Sequence, residues 1–387
     1  MKILIVVPDT NVGGVTTAAV NLSTELYLHG HEVSFLDMSG KNACADHLCE
    51  SVKLLSLKGK SKLWDIGAES VRRAHGLKKI KILVLGAIKK LTVRSGLWYK
   101  LIFSKFNKKE TFDVAIAFRQ CMPCYLFALN NVSAKKKIGF IHGELKLMGE
   151  PSWIKYMTRF DKIAYVSNAV REQFVAKYPQ LRKNACTVYN MFDVEQIKTL
   201  AEDKCDLFFD EKKVNIVTVA RIDNYFKQTN WIVDICDRLK KETDRSFHWY
   251  VVGDGPNYDE TVSLSKEYGT DDVLTFVGNK KNPYSYIKQS DFTVLTSRSE
   301  AYPMVVIESF ILKKPMVVAR FGSITEMMDE GKHGYIADQS VDSLCEIIKK
   351  MISNDGSLDC CRRFFETYEF SNEVAYSQFL KAIGDNK

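Results

Sequence analysis

The stretch Ile3-Leu4-Ile5-Val6-Val7 has the composition of a buried β-strand, and a second apolar stretch follows at residues 31–36. Between them lie the glycine pair Gly13-Gly14 and residues 16–29, whose apolar side chains recur at helical spacing. A strand, a loop, a helix and a second strand in this order predict a parallel βαβ unit, because parallel strands need a long crossover connection.

The same alternation continues along the chain and begins again after Asn190. It predicts an α/β protein with two Rossmann-like, doubly wound domains that face each other across a cleft. We expect domains at residues 1–190 and 191–371, and a C-terminal helix at 372–387 that packs back on the first domain. The further predicted strands are 113–118, 137–141, 162–166, 214–220, 247–252, 273–277, 292–295 and 316–319.

Length and composition exclude several classes of protein. The apolar runs of this 387-residue chain are too short to span a bilayer or to form a signal peptide, so we expect a cytoplasmic protein. Its ten scattered cysteines do not form the framework of a disulfide-rich secreted domain. For the single CxxC motif, Cys121-Met122-Pro123-Cys124, we favour two half-buried apolar side chains over a redox or metal site.

The basic residues are concentrated in residues 53–109, which contain sixteen Lys and Arg against two acidic residues, a net charge of +14 in a chain of +8. Within this segment, one helical stripe is apolar and several lysines lie away from it. This pattern fits a surface helix on an anionic membrane, and it fits equally a core-facing helix with a solvated lysine face. No nucleic-acid motif is present, so no nucleic acid is expected as a partner. The stripe consists of Leu77, Ile80, Val84, Ala87, Ile88 and Leu91, and the lysines are Lys78, Lys79, Lys89 and Lys90.

Two carboxylates lie eight residues apart in the stretch SEAYPMVVIE, residues 299–308. Pro303 favours the start of a helix, which places Glu308 in the first turns of that helix and Glu300 in the preceding loop. Carboxylates near a positive helix end can bind a ligand that carries hydroxyls and phosphate.

Other polar residues follow predicted strands. Arg221 and Lys227 come after strand 214–220 and together can neutralise a diphosphate. Gly13 and Gly14 place bare backbone N–H groups at a helix N-terminus, which suits an anion, although a tight turn explains them as well. His142 ends a strand and is either a donor to a substrate hydroxyl or a structural histidine.

With these residues in place, the chain resembles the retaining glycosyltransferases of family four, which have the two-domain GT-B fold. The likeness is strongest between residues 190 and 336. It departs from the family pattern at Ala301, where glycine is usual, in the longer spacing from Arg221 to Lys227, and at Gly322-Ser323. The matching motifs are Gly253-Asp254-Gly255-Pro256, Phe276-Val277-Gly278, Pro283-Tyr284, Ser290-Asp291, Thr296–Glu300, Pro303, Glu308 and Gly331–Gly334.

The resemblance implies a role for each of these residues. Glu308 would bind the ribose hydroxyls and Glu300 a hydroxyl of the donor sugar, while His142 would face the sugar near its anomeric carbon. Arg221 and Lys227 would hold the diphosphate and stabilise it as it leaves. The implied catalytic residues are Glu300, His142, Arg221 and Lys227, and the implied donor-binding residues are Gly13, Gly14, Arg221, Lys227, Gly253, Pro303, Met304, Val305 and Glu308.

The resemblance also implies an activity. We expect a metal-independent retaining hexosyltransferase that moves a sugar from a nucleotide-sugar, UDP being the commonest nucleotide in the family, to a glycan or lipid-linked acceptor in cell-surface polysaccharide biosynthesis. No cofactor is expected, and residues 53–109 would contact the inner face of the cell membrane. The alternatives are a nucleotide-sugar epimerase of the same fold and a non-catalytic subunit that binds a sugar nucleotide.

Overall fold

The computed structural model describes residues 1–10, 13–55, 57, 71–72, 74–92, 97–98, 110–145, 151–353 and 355–385. The chain divides into two compact units. Unit 1 comprises Met1–Phe192 with Asn372–Lys387, and unit 2 comprises Asp193–Ser371.

Unit 1 is built on one parallel sheet. Its strands are β1 (Lys2–Val7), β2 (Glu32–Asp37), β3 (Lys53–Leu55), β4 (Thr111–Ala117), β5 (Ser133–Ile141), β6 (Lys162–Tyr165) and β7 (Ala185–Thr187). They pair in the order β3-β2-β1-β4-β5-β6-β7. The helices between them are α1 (Gly14–Leu28), α2 (Gly76–Thr92), α3 (Met122–Asn131), α4 (Ile154–Met157) and α5 (Asn168–Lys177).

Unit 2 repeats this plan with a six-stranded parallel sheet. Its strands are β8 (Val214–Val219), β9 (Phe247–Val252), β10 (Leu274–Gly278), β11 (Phe292–Leu295), β12 (Met316–Ala319) and β13 (Gly334–Ala337), in the order β10-β9-β8-β11-β12-β13. Its helices are α6 (Val194–Ala201), α7 (Asn230–Glu242), α8 (Tyr258–Glu267), α9 (Tyr284–Gln289), α10 (Met304–Ile311), α11 (Val341–Ile352) and α12 (Ser357–Thr367).

The predicted α/β class with two Rossmann-like units is confirmed. The central strands are apolar on both faces because helices cover both sides of a parallel sheet, and that burial made them recognisable. The prediction missed β3, β7 and β13, which have three or four residues each and lie at sheet edges. Such short segments carry too few residues for a clear period, so pairing with a neighbour decides their conformation.

The last helix, α13 (Glu373–Ile383), belongs to unit 1 and is held there by hydrogen bonds of its N-cap residue, Asn372, and of Gln378. The Asn372 amide accepts a hydrogen bond from the Phe192 N–H (3.0 Å) and donates one to the Phe192 carbonyl (2.7 Å). Farther along the helix, the Gln378 side chain accepts the N–H of Tyr189 at 2.9 Å. These bonds tie α13 to the segment that follows β7.

The basic helix α2 presents its apolar stripe to solvent. Leu77 and Leu91, at its two ends, are 86% and 82% exposed, and none of its residues is buried. The side facing the protein carries the half-buried Ile82 and Leu85 instead. The core-facing interpretation of the stripe is therefore wrong. Much of the basic segment, residues 56, 58–70, 73, 93–96 and 99–109, lies outside the described residues.

Two further observations concern the described part of the chain. None of its helices is both long and apolar enough to cross a membrane. Within the same residues, no three His, Cys, Asp or Glu side chains are grouped so that they could hold a metal ion.

Replacement of Asn372 by Ala should lower the free energy of unfolding of the protein by about 2 kcal/mol. The variant removes two hydrogen bonds to the buried backbone of Phe192, and loss of a partner in a buried setting costs about 1–3 kcal/mol. Urea unfolding followed by circular dichroism measures the difference. Val374→Ala, which truncates a 62% exposed side chain two residues along the chain, is the control and should change little. Equal stability of the two variants would contradict this role for Asn372.

Candidate functional site

The predicted charged residues of unit 2 meet at the point where the strand order of its sheet reverses. Strands β8 and β11 are neighbours there and both end at the same edge. Arg221 and Lys227 follow β8, and Glu300 follows β11. Open parallel sheets bind ligands at this position, because two loops diverge and leave a crevice between them.

The Arg221 loop is held by a close backbone contact with the motif Gly253-Asp254-Gly255. A Cβ atom on Gly253, whose φ is +150°, would lie 1.9 Å from the carbonyl oxygen of Ala220. A Cβ on Gly255 would lie 2.2 Å from the carbonyl oxygen of Ile222. Only glycine fits at either position, so the motif fixes the path of the chain on both sides of Arg221. Sequence analysis predicted a donor-binding role for Gly253 and missed this contact.

Asp223 organises the same loop. Its carboxylate pairs with the Arg221 guanidinium (Nη2 to Oδ2, 2.5 Å) and accepts the N–H groups of Tyr225 (3.0 Å) and Phe226 (2.8 Å). Asp223 is buried, whereas the Arg221 side chain is 58% exposed. Asp223 therefore anchors one edge of the guanidinium, and the exposed remainder of the group can bind a ligand. Asp223 has no signal in the sequence beyond its place in a turn.

Lys227 and Glu300 form an ion pair in which both side chains are largely buried. The backbone of Lys227 is fixed on both sides: its N–H donates to the Asp223 carbonyl (3.1 Å), and its carbonyl accepts from the Thr296 hydroxyl (2.6 Å). The longer spacing from Arg221 to Lys227 therefore still brings the ammonium to the predicted carboxylate. Burial from bulk water strengthens the pair relative to a surface ion pair.

The two family departures near Glu300 leave its loop intact. Ala301 is not among the non-glycine residues with positive φ, which in the described residues are Asn42, Gln228 and Lys313. Alanine at this position therefore adopts an unstrained backbone conformation. Ser323, at the second departure, is buried and donates its hydroxyl to the Glu300 carbonyl at 3.2 Å.

Glu308 lies inside helix α10. Pro303 is the residue before the helix rather than its first residue, and Met304 and Val305 form the first turn. The Glu308 side chain is buried, and burial raises the pKa of its carboxyl to about 7 although the Tyr284 hydroxyl donates to Oε1 at 3.3 Å. A carboxyl in this state accepts or donates hydrogen bonds at neutral pH, as binding of ribose hydroxyls requires. Tyr284 belongs to a matching family motif, but the sequence suggested no role for its hydroxyl.

The predicted residues of unit 1 lie at the corresponding edge of its own sheet. Helix α1 begins at Gly14, and a Cβ on Gly13 would meet no atom within 4 Å. Gly13 is therefore not required by close packing, and both glycines are exposed at the helix N-terminus. Residues 11 and 12 of the same loop lie outside the described residues.

His142 follows β5 and has a specific environment. Its ring packs against Phe118 and Phe140, with centroid distances of 4.4 and 5.7 Å, and its backbone N–H donates to Gln120 Oε1 at 2.9 Å. Burial lowers the pKa of the imidazole to about 3, so the ring is neutral at physiological pH. Its buried Nε2 has no hydrogen-bond partner among the described residues. The predicted contact of His142 with a donor sugar stays a prediction.

A cavity of about 520 Å³ opens at this edge of unit 1, which sequence analysis did not predict. Arg119 contributes a guanidinium that is 41% exposed and bonded to both carboxylate oxygens of Asp9 (2.9 and 3.0 Å). The lining residues are Val15, Arg119, Gln120, Pro151, Ser152 and Trp153.

Residues 201–366 match the family model described as glycosyl transferases group 1. Over these residues unit 2 is similar to the glycosyl transferases of group 1. The chain is 23% identical over 212 residues to the N-acetyl-alpha-D-glucosaminyl L-malate synthase of Bacillus anthracis, covering 52% of this chain and 54% of that protein. It is 25% identical over 186 residues, 48% of each chain, to the N-acetylgalactosamine-N,N'-diacetylbacillosaminyl-diphospho-undecaprenol 4-alpha-N-acetylgalactosaminyltransferase of Campylobacter jejuni. The chain thus spans about half the length of these curated relatives.

The fold of the chain is similar to that of a solved structure. The crystal structure of Staphylococcus aureus TarM in complex with UDP and other ligands superposes with a TM-score of 0.71, covering 99% of this chain and all of that one at 14% identity. At this identity the likeness establishes the fold. In unit 2, the candidate ligand-binding residues are Arg221, Lys227, Glu300 and Glu308.

Glu308→Gln should flatten the pH dependence of stability. The folded pKa of about 7 lies above the ordinary 4.5, so the folded state binds the proton more tightly. This contribution to stability is complete at acid pH and is lost as pH rises through about 7. Between pH 5 and 8 the wild type should lose about 2 kcal/mol more of its free energy of unfolding than Glu308→Gln. Urea unfolding at both pH values measures this, and parallel losses in the two proteins would exclude a raised pKa.

Proposed function

We propose that the protein is a retaining glycosyltransferase that transfers a sugar from a nucleotide-sugar donor, expected to be a UDP-sugar, to a glycan or lipid-linked acceptor in cell-surface polysaccharide biosynthesis. The observation that carries the proposal is the meeting of Arg221, Lys227 and Glu300 at the switch point of unit 2, with Glu308 buried in the helix that follows the Glu300 loop. The printed names of relatives, which include a transferase acting on a diphospho-undecaprenol-linked saccharide, support this class of acceptor.

Each of these residues then has a physical task. The exposed guanidinium of Arg221, anchored by Asp223, binds the diphosphate with its remaining N–H groups. When the diphosphate binds, the Lys227 ammonium moves its ion pair from Glu300 to the phosphate, or contacts both. The Glu300 carboxylate can then accept a hydrogen bond from a sugar hydroxyl. As the bond to the sugar breaks, negative charge builds up on the departing diphosphate, and the two cations stabilise it. Glu308 binds the ribose hydroxyls.

In this proposal the chemistry needs no metal ion, since the two cations compensate the charge of the leaving group. The acceptor would occupy the cavity of unit 1, where the Arg119 guanidinium and the Trp153 ring offer a charged and an apolar contact. Retention would follow if the leaving phosphate takes the acceptor proton on the same face of the sugar.

Nucleotide binding should require Glu308 and the two cations. Thermal unfolding with UDP, GDP, ADP or NAD at a hundred times the dissociation constant should reveal about 2.7 kcal/mol of stabilisation by one nucleoside diphosphate. Glu308→Ala and the double variant Arg221→Ala/Lys227→Ala should lose this shift. Lys350→Ala removes an exposed lysine of the same unit, paired on its own helix, and should keep it. Stabilisation by NAD alone would contradict the proposal.

Turnover separates the transferase from its alternatives. With a labelled nucleotide-sugar and a lipid-linked saccharide extract, Arg221→Ala and Lys227→Ala should each lower kcat/KM by about a hundredfold, the usual effect of losing a charge that stabilises a transition state. The anomeric configuration of the product, read by NMR, tests retention. Interconversion of nucleotide-sugars without acceptor would identify an epimerase, and binding without turnover would identify a non-catalytic subunit.

Membrane contact is the second part of the proposal, and it rests on helix α2. Its stripe of Leu77, Ile80, Val84 and Leu91 is exposed, and the helix contains five lysines and no acidic residue. Exposed apolar residues flanked by lysines match a surface of acyl chains and anionic headgroups. A lipid-linked acceptor would be reached at that surface.

Co-sedimentation with vesicles of neutral lipid and of neutral plus anionic lipid tests this contact. Lys78, Lys79, Lys89 and Lys90 changed together to Glu should weaken binding to anionic vesicles at least about tenfold, because each lysine near such a surface contributes about 1 kcal/mol. Leu77→Asp/Leu91→Asp should weaken binding to both kinds of vesicle. The control changes four exposed lysines elsewhere to Glu and should bind like the wild type; equal loss in the control would reject α2 as the contact. The control lysines are Lys135, Lys241, Lys332 and Lys350.

A further inference from the structure

The motif Cys121-Met122-Pro123-Cys124 begins helix α3, directly after the loop that follows β4. Cys121 precedes the helix with extended backbone (φ −147°, ψ 148°), and the Tyr125 N–H bonds to its carbonyl at 3.1 Å, closing the first turn. Residues three apart in such a turn lie about 5–6 Å apart, within the range that a disulfide bridges. Cys121 is half-buried and therefore reachable, whereas Cys124 is fully buried beneath it.

The two thiols share a proton network. The Cys124 thiol donates to the Val6 carbonyl at 3.2 Å. Hydrogen bonding from the Cys124 side chain lowers the pKa of the Cys121 thiol against the effect of burial, and the Arg119 guanidinium acts in the same direction. Burial raises the pKa of Cys124 well above its ordinary value. The outer sulfur is thus the better thiolate and the inner sulfur keeps its proton.

We propose that Cys121 and Cys124 form a redox-active dithiol that is converted reversibly into an intramolecular disulfide by exchange with small disulfides. A CxxC motif at a helix N-terminus in a βα unit has the geometry for this exchange, and in reducing compartments disulfides of this kind are transient.

The reaction proceeds in two exchange steps. The Cys121 thiolate attacks one sulfur of the oxidant R–S–S–R, a mixed disulfide forms, and RS⁻ leaves. The Cys124 thiol then gives its proton to the departed RS⁻. The resulting Cys124 thiolate attacks the Cys121 sulfur of the mixed disulfide and releases the second RS⁻, which is protonated from solvent. Two protein thiols and one disulfide become one protein disulfide and two RSH, so two electrons pass to the oxidant.

The dithiol adjoins the cavity of unit 1. Arg119 and Gln120, the two residues before Cys121, both line the cavity, and Gln120 also holds the backbone of His142. Oxidation removes the Cys124 proton and with it the hydrogen bond to Val6 at the end of β1. The redox state of the pair therefore acts on the loop that carries Arg119, whatever substrate the cavity takes.

Mass spectrometry of the full chain in glutathione buffers tests the proposal independently of any transferase activity. Trypsin cleavage after Arg119 and Lys135 gives one peptide that contains Cys121 and Cys124 and no other cysteine. In excess oxidised glutathione this peptide should resist alkylation and be lighter by two hydrogen atoms, and dithiothreitol should restore both thiols.

Single variants establish the roles of the two sulfurs. Cys124→Ser should accumulate a stable mixed disulfide with glutathione on Cys121, while Cys121→Ser should leave Cys124 unmodified in the folded protein. Cys360→Ser, which changes the exposed cysteine at the start of α12, is the control and should form the internal disulfide like the wild type. Circular dichroism confirms that each variant is folded. Full alkylation of both cysteines in oxidised glutathione, or reaction of Cys121 no faster than Cys360, would overturn the proposal.

Discussion

The candidate site of unit 2 depends on one steric constraint, the close approach of two loops at the carboxyl ends of β8 and β9. The carbonyls of Ala220 and Ile222 occupy the space where side chains of residues 253 and 255 would lie, so glycine is obligatory at both. This contact sets the direction in which the chain leaves β8. Asp223 can then pair with Arg221 and cap the following turn, and the loop returns to place Lys227 against Glu300.

The two carboxylates of the site are compensated in different ways. Glu300 is paired with the Lys227 ammonium. Glu308 lies on the buried side of α10 and accepts a hydrogen bond from the Tyr284 hydroxyl, and burial raises the pKa of its carboxyl to about 7. A carboxylate paired with a cation can exchange that cation for a ligand, while a buried carboxyl near neutrality can bind hydroxyls without a full charge. This difference suits a ligand that is anionic at one end and hydroxylated at the other.

Unit 1 has fewer family motifs but shows its own chemistry at the matching sheet edge. Arg119 and Gln120 connect a cavity, the backbone of the neutral His142 and the Cys121–Cys124 pair within one short loop. On another side of the unit, the stripe of α2 is exposed rather than packed. Both features are chemically specific surfaces that are independent of the nucleotide chemistry of unit 2.

The sequence by itself determined the alternation of strands and helices, the two-unit plan and the loops that carry Arg221, Glu300 and Glu308, because strands buried on both faces are continuous apolar runs and ligand-binding loops follow them. Tertiary structure alone decided the three short edge strands, the pairing of Lys227 with Glu300 and the pKa of Glu308, since each depends on neighbours distant in the chain. It also decided which way α2 faces. An apolar stripe has the same helical period whether it meets a protein core or the solvent, and only packing distinguishes the two.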